Sequence, residues 1–227
     1  MSFADGTGGL AAFRYYCFVV ERRKRGQCGW ICYRVDFRVE SVLRVPEMTQ
    51  CVALLRGINV GRAKRISMAD LRALVEGLGF TGVRTVLNSG NVVFDAARPN
   101  PARIGEQIEQ AIIERCGFSA AVVVIKGSDL EAVISGNLLP DAVAEPSKFL
   151  VAFAAAAATL EKAKPLLKEG WDPERLGLGK QAAYLWCPNG ILESKLLKEF
   201  ARATADAITT RNWATVLKLQ AVLQSGQ

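Results

Sequence analysis

The chain has 227 residues, half of them hydrophobic, a net charge of +7 and no histidine, enough for one full core or two smaller ones sharing an interface. Without histidine, His-based triads, His general bases and His-ligated metal sites are excluded, so any acid or base must be a carboxylate, Lys, Cys, Tyr or an α-amine. No apolar run approaches the roughly 20 residues that a bilayer demands, which predicts a cytoplasmic protein with no membrane partner.

Residues 1–47 read as a leader outside the fold. They carry eight Lys/Arg and five Asp/Glu, so three of the seven excess positive charges lie there. Neither helical nor strand periodicity is sustained. Asp5 precedes the apolar run and Arg14 interrupts it, unlike a signal peptide, and a transit peptide would avoid acids. Two readings stay open: a basic, partly disordered appendage, or sequence upstream of a true start at Met48. Within it, Val35 to Val45 alternates well enough to form a strand. The six cysteines, at 17, 28, 32, 51, 116 and 187, are too scattered for a disulfide framework and read as reduced thiols.

From Cys51 the pattern sharpens. Cys51 to Leu55 predicts a strand. Ser67 with Asp70 makes a capping box before Leu71, Leu74, Val75 and Leu78 at helical spacing, ending at Gly79. Val83 to Leu87 and Val92 to Phe94 flank Asn88-Ser-Gly-Asn91 as a hairpin, with Gly and Asn suited to positive φ. Asn100-Pro101 caps a helix presenting Ile104, Ile108, Ala111 and Ile112 and stopped by Gly117. Ala120 to Ile125 closes the βαββαβ order of a ferredoxin-like unit. A short helix follows, capped by Ser128 with Glu131.

After a join containing Pro140 and Pro146, the order recurs. The expected elements are a strand Phe149 to Phe153, a helix Thr159 to Leu167, strands Arg175 to Leu178 and Ala182 to Trp186, a helix Ser194 to Ala203, a short strand Ala207 to Thr209 and a final helix from Trp213. The predicted class is therefore α+β, with two ferredoxin-like βαββαβ subdomains made by internal duplication, 48–137 and 138–227, plus additional helices.

Four separated motifs, Leu54-Leu-Arg-Gly-Ile-Asn-Val-Gly61, Met68-Ala-Asp-Leu-Arg72, Leu87-Asn-Ser-Gly-Asn-Val-Val-Phe94 and Thr209-Thr-Arg-Asn-Trp-Ala-Thr215, resemble the bacterial family known as domain of unknown function 1697. The resemblance runs from about Met48 to Leu223. It implies two ferredoxin-like subdomains and a start near Met48, and brings no activity, substrate or catalytic residue with it. The chain departs from the family's pattern in the basic stretch Arg62-Ala-Lys64-Arg65 and before Ser194-Lys195.

Candidate site residues follow from chemistry at element ends. Arg56 and Asn59 stand where the first strand ends, a place where ligands commonly approach, and Arg56 suits a phosphate or carboxylate. The bland alternative pairs Arg56 with a carboxylate and has Asn59 satisfy its own loop. Asn88, Ser89 and Asn91 form either a plain hairpin turn or an anion-binding nest beside Arg56, which requires turn and loop to share a sheet end. Thr210 reads as an N-cap leaving helix N–H groups open beside Arg211 and Asn212. Lys195 is a candidate cleft cation, and Trp213 reads as core. The stretch Leu176-Gly-Leu-Gly-Lys180 precedes a strand, so it is not a dinucleotide fingerprint.

Three readings result. One is a protein binding an anionic small molecule or nucleotide between its halves through Arg56, Asn59 and Arg211. The second is an enzyme acting on a phosphorylated or carboxylated metabolite, with Lys195 or a carboxylate as base. The third is RNA or DNA binding across the sheet, against which the missing aromatic strand pattern counts. No cofactor and no metal is expected.

Overall fold

A computed structural model describes residues 47–60, 64–205 and 207–225, all within the compact unit Val45–Gln227. The leader, Glu47 apart, lies outside the described residues, and with it the expected strand from Val35 to Val45.

The chain order is β1 (Met48–Leu55), α1 (Met68–Gly77), β2 (Thr81–Val86), β3 (Asn91–Ala97), α2 (Pro101–Cys116), β4 (Val122–Lys126) and α3 (Gly127–Ser135). It continues with β5 (Phe149–Ala154), α4 (Ala157–Glu161), β6 (Arg175–Leu178), β7 (Ala182–Trp186), α5 (Lys195–Ala203), β8 (Ile208–Asn212) and α6 (Trp213–Gln224). The strands form two antiparallel sheets of four, ordered β2-β3-β1-β4 and β6-β7-β5-β8. Each half therefore places its first strand between its third and fourth, as the split βαββαβ order requires, and the duplicated α+β architecture is seen directly.

Side chains alternate across each strand, and the alternation sorts the interior into three layers. Cys51, Ala53 and Leu55 of β1 face outward under α1 and α2 with Leu71, Val75 and Ile108. Leu150 and Ala152 of β5 face outward under α4 and α5, beside Leu160, Leu196 and Phe200. The remaining faces meet each other. Val52, Leu54 and Val93 of the first sheet share a central core with Phe149, Val151 and Phe153 of the second. Helices α3 and α6 join that core through Leu130, Val133, Trp213 and Val216. The Trp213 ring stacks on Phe149 at a centroid distance of 5.0 Å, so its role is packing.

Local signals act largely as read. Ser67 Oγ accepts from Asp70 N at 3.0 Å, and Asn100 Oδ1 accepts from Arg103 N at the head of α2. Gly117 ends α2 with φ of 73°. Four expectations are corrected. The strand that begins the fold starts at Met48, three residues before Cys51, because β3 is long enough to pair with it there. Helix α3 starts at Gly127, and Asp129 Oδ2 accepts from Lys126 N, in place of the Ser128/Glu131 box. The helix expected from Thr159 to Leu167 breaks after Glu161 and resumes as a 3₁₀ turn, Lys164–Lys168, because Pro165 has no N–H to give and restricts the residue before it. Lastly, β8 runs to Asn212, so Thr210 lies within a strand paired with Ala152.

Cys51 and Cys187 are buried thiols, and Cys116 is half-buried. Among the described residues no helix is long and apolar enough to cross a membrane.

Candidate functional site

Because β1 and β3 run antiparallel with Leu54 opposite Asn91, the loop leaving β1 and the turn entering β3 come to the same sheet end. Leu55 N donates to Gly90 O at 2.8 Å, sealing the two together. Here the turn and the first loop share one place, as the nest reading required.

Asn59 braces the loop. Its φ of 57° is left-handed, a conformation asparagine tolerates, and its backbone N–H donates to Lys64 O at 2.7 Å. Its side-chain amide donates to Ile66 O and to Asn88 O, both at 3.0 Å, while Oδ1 accepts from Ile66 N. These bonds close the loop on itself and tie it to the hairpin. Arg56 is half-buried, and its backbone N–H donates to Ala121 O at 2.9 Å, extending the β1–β4 ladder by one residue. That places Arg56 on the side of the sheet carrying Val52 and Leu54, toward the second half.

The turn spans Leu87 to Gly90. Positive φ falls on Leu87 (59°) and Gly90 (75°), and not on Asn88 as the sequence suggested. A Cβ at Gly90 would lie 2.7 Å from Ile58 Cδ1 and 2.8 Å from Leu55 Cβ, so only glycine lets the turn sit this close to β1. Asn91 is fully buried; its amide nitrogen donates to Val86 O at 2.8 Å and to Ser89 Oγ at 3.0 Å.

Arg211 joins this end from the second half. In β8 it pairs with Val151 of β5 and shares that residue's face, which looks into the central core. Only 9% of it is exposed. Its Nε donates to Asn91 Oδ1. Nη1 donates to Thr209 Oγ1 and Thr210 O at 2.9 and 2.8 Å. Nη2 donates to Leu55 O at 2.7 Å and to Ser89 O and Gly90 O at 3.3 Å. All five N–H groups of the fork are thus engaged by oxygens of both halves. Every one of those oxygens is neutral. Burial pulls the pKa of Arg211 down to about 10, which still leaves the guanidinium charged at neutral pH.

Several expectations need revising against this geometry. Arg211 was expected to offer its guanidinium to an anion; its donors are instead taken up in a clamp between the halves. Thr210 does not cap α6. Asn212 does, with Oδ1 accepting from Thr215 N at 3.0 Å and from Thr215 Oγ1 at 2.7 Å, so this helix start is closed. Lys195 is exposed at the first position of α5, on the outer side of the second sheet, whereas the clamp lies on the inner side. Arg56, Asn59, Asn88, Ser89, Asn91 and Arg211 do come together, whereas Thr210 contributes only its carbonyl and its side chain stands on the opposite face of β8, with Ala152.

Sequence reading missed the carbonyls of Leu55, Ser89 and Gly90 as partners of Arg211, and main-chain acceptors leave no signal of their own. It read Lys64 only as part of the basic stretch Arg62 to Arg65, whereas its Nζ donates to Ser119 O at 2.9 Å, and it passed over Leu87. Two broad depressions of 430 and 360 Å³ lie elsewhere, on the outer surface between α1 and α2, and none of the clamp residues lines them. No group of three or more Cys, Asp or Glu among the described residues is placed to hold a metal.

The conserved bacterial protein SP0830 from Streptococcus pneumoniae has a similar structure, with a TM-score of 0.61 and 25% sequence identity over 78% of this chain and 99% of its own. No curated protein matches the chain. The model of the family described as "Protein of unknown function (DUF1697)" matches residues 48–184, well over half the chain, and the chain belongs to that family.

Proposed function

We propose that the protein binds an organic anion, bearing phosphate or carboxylate, where the loop after β1 and the turn before β3 meet the last strand of the second half. One observation carries this reading: the buried Arg211 guanidinium has no carboxylate among its partners. Segments 55–66, 87–91 and 206–213 together hold five Lys/Arg (Arg56, Arg62, Lys64, Arg65, Arg211) against one acid, Asp206. An uncompensated charge in a poorly solvated place projects a positive potential to the nearby surface. There the contacts fall to exposed groups. Lys64 has two ammonium protons beyond the one given to Ser119, and Asn88 and Ser89 point side chains from a turn whose backbone is already fixed.

A thermal-shift screen of phosphorylated and carboxylated compounds on the full chain tests it. A true ligand at about 100 times its Kd adds roughly 2.7 kcal/mol of stability. The expected result is a raised Tm that disappears in the Lys64→Gln, Arg65→Gln double variant. Silence across the panel, or a shift that survives both substitutions, overturns the reading. Retention of oligonucleotides that weakens steeply with salt, without any small-molecule shift, would replace it with nucleic-acid binding.

A further inference from the structure

The outer face of α2 is ordered differently from its counterpart in the second half. Arg103, Gln107, Gln110 and Glu114 are all exposed and follow one another at steps of four, three and four, so they form a single stripe along the helix. The stripe reads cation, amide, amide, anion. Such an order is complementary to its own reverse. Against an antiparallel copy, Arg103 meets Glu114 of the second copy and Gln107 meets its Gln110, with the two-fold axis midway between Gln107 and Gln110. Helix α5, the equivalent in the second half, exposes Lys195, Lys198 and Arg202 instead. A reversed copy there would set Lys195 against Arg202, cation against cation.

The α2 stripe also borders a concave surface. All four of its residues line the 430 Å³ depression, together with Leu78 from the end of α1 and the small Ala111. Leu78 is 37% exposed. The charges at the two ends are available to a partner. The Arg103 guanidinium has no hydrogen-bond acceptor or carboxylate against it among the described residues. Gln110 Nε2 donates to Glu114 Oε1 at 2.8 Å, which holds that carboxylate on the stripe and lowers the entropy lost when it is met.

We infer that this face pairs with a second copy of the chain, the two α2 helices lying antiparallel, to form a weak two-fold dimer. Charge order selects the occupant. A ligand of one sign is repelled by one end of the stripe, whereas a surface with the charges reversed satisfies both ends, and the chain carries that surface itself. The inference stands apart from anion binding, since none of the clamp residues lines this depression. Two exposed Arg–Glu pairs hold loosely, so the dissociation constant is expected on the order of 100 μM and rises with salt.

Sedimentation equilibrium of the full chain over a range of concentrations tests it. The wild type should pass from monomer to dimer with rising concentration. Arg103→Glu and Glu114→Arg, each alone, place like charges at both ends of the symmetric contact and should weaken association at least about tenfold. Combined in one chain they restore opposite pairing in the reverse sense, and association should return to within about threefold of the wild type. Both positions are exposed, and an unchanged unfolding midpoint verifies that each variant keeps its fold. A wild type that stays monomeric at about 1 mM, roughly ten times the expected constant, overturns the inference. So does a dimer that neither single variant weakens, or a double variant that associates no better than the singles.

Discussion

The two halves share a strand order but treat the equivalent position of their last strand in opposite ways. In the first half Ile125, opposite Val52, packs into the central core and is followed by Lys126 at the start of α3. In the second half Arg211, opposite Val151, takes that place and is followed by Asn212 at the start of α6. One position thus holds a hydrocarbon in one copy and a buried cation in the other. The hairpins differ to match. The β2–β3 turn is gripped by Asn59, Asn91 and Arg211, whereas the β6–β7 turn closes on a backbone bond from Gly179 N to Ala182 O. The loop after β1 runs twelve positions before α1, and that after β5 only two before α4. A duplicated fold has elaborated one end of one copy and used the other copy to hold it.

The largest effect should come from removing the cation. Arg211→Met keeps most of the volume but leaves Asn91 Oδ1 and the carbonyls of Leu55, Ser89 and Gly90 short of donors, so urea unfolding should show a loss of about 3–5 kcal/mol. If Met costs less than about 1 kcal/mol, the two equivalent positions are interchangeable and the contrast between the halves fails. Asn91→Ala isolates the receiving side. It removes the acceptor for Nε and the bond to Val86, with an expected loss of roughly 2–3 kcal/mol by the same measurement. The two losses should fall short of additive when combined, since they share one contact.

A pH titration sharpens the comparison at the level of the cores. Burial raises the Cys51 thiol from 9.0 to about 11 and the Tyr184 hydroxyl from 10.0 to about 12. Each group is held neutral by the fold, so its contribution is complete below the unfolded pKa and is lost as pH rises toward the folded one. Stability should therefore be flat with respect to these groups at neutral pH and fall between about pH 9 and 12, by up to roughly 3 kcal/mol for each. Cys51→Ala should flatten the lower part of that limb and Tyr184→Phe the upper part, read by denaturant melts across the range. The smallest expected effect has the opposite sign. Leu87→Gly relieves a left-handed leucine and should raise stability by about 0.5–1 kcal/mol, whereas Lys180→Gly in the other hairpin should give no such gain.

Much of this architecture could be read from residues alone because its causes are local. Ser67, Asn100 and Ser194 announce helix starts through their own hydroxyl or amide oxygens, and all three accept from the N–H groups expected of caps. Two strands of the second half, β6 and β7, were legible down to their ends at Arg175, Leu178, Ala182 and Trp186 because Gly and Pro mark the breaks. The candidate end was legible as a set of motifs but not as a mechanism. Arg211 looked like a residue beyond the strand, because a charged side chain facing a core is unfavourable until its partners are known. Those partners, Asn91 and Leu55, lie 120 and 156 positions away in the chain. Likewise nothing near Leu87 says that its backbone will be left-handed; that follows from Gly90 pressing against Ile58 and Leu55.

The clamp also has a temporal side. Four of its six acceptors, on Leu55, Ser89, Gly90 and Asn91, belong to a region that leaves the ribosome early, and its donor sits in β8, the last strand in chain order. Until that strand emerges and docks, the carbonyls of residues 55 and 89 lack the guanidinium donors of the finished fold, and Gly90 O keeps only its bond from Leu55 N. The basic end of the amino-terminal copy is therefore finished by the carboxy-terminal one, so a nascent chain lacking its final strand has the first sheet without its completed tip.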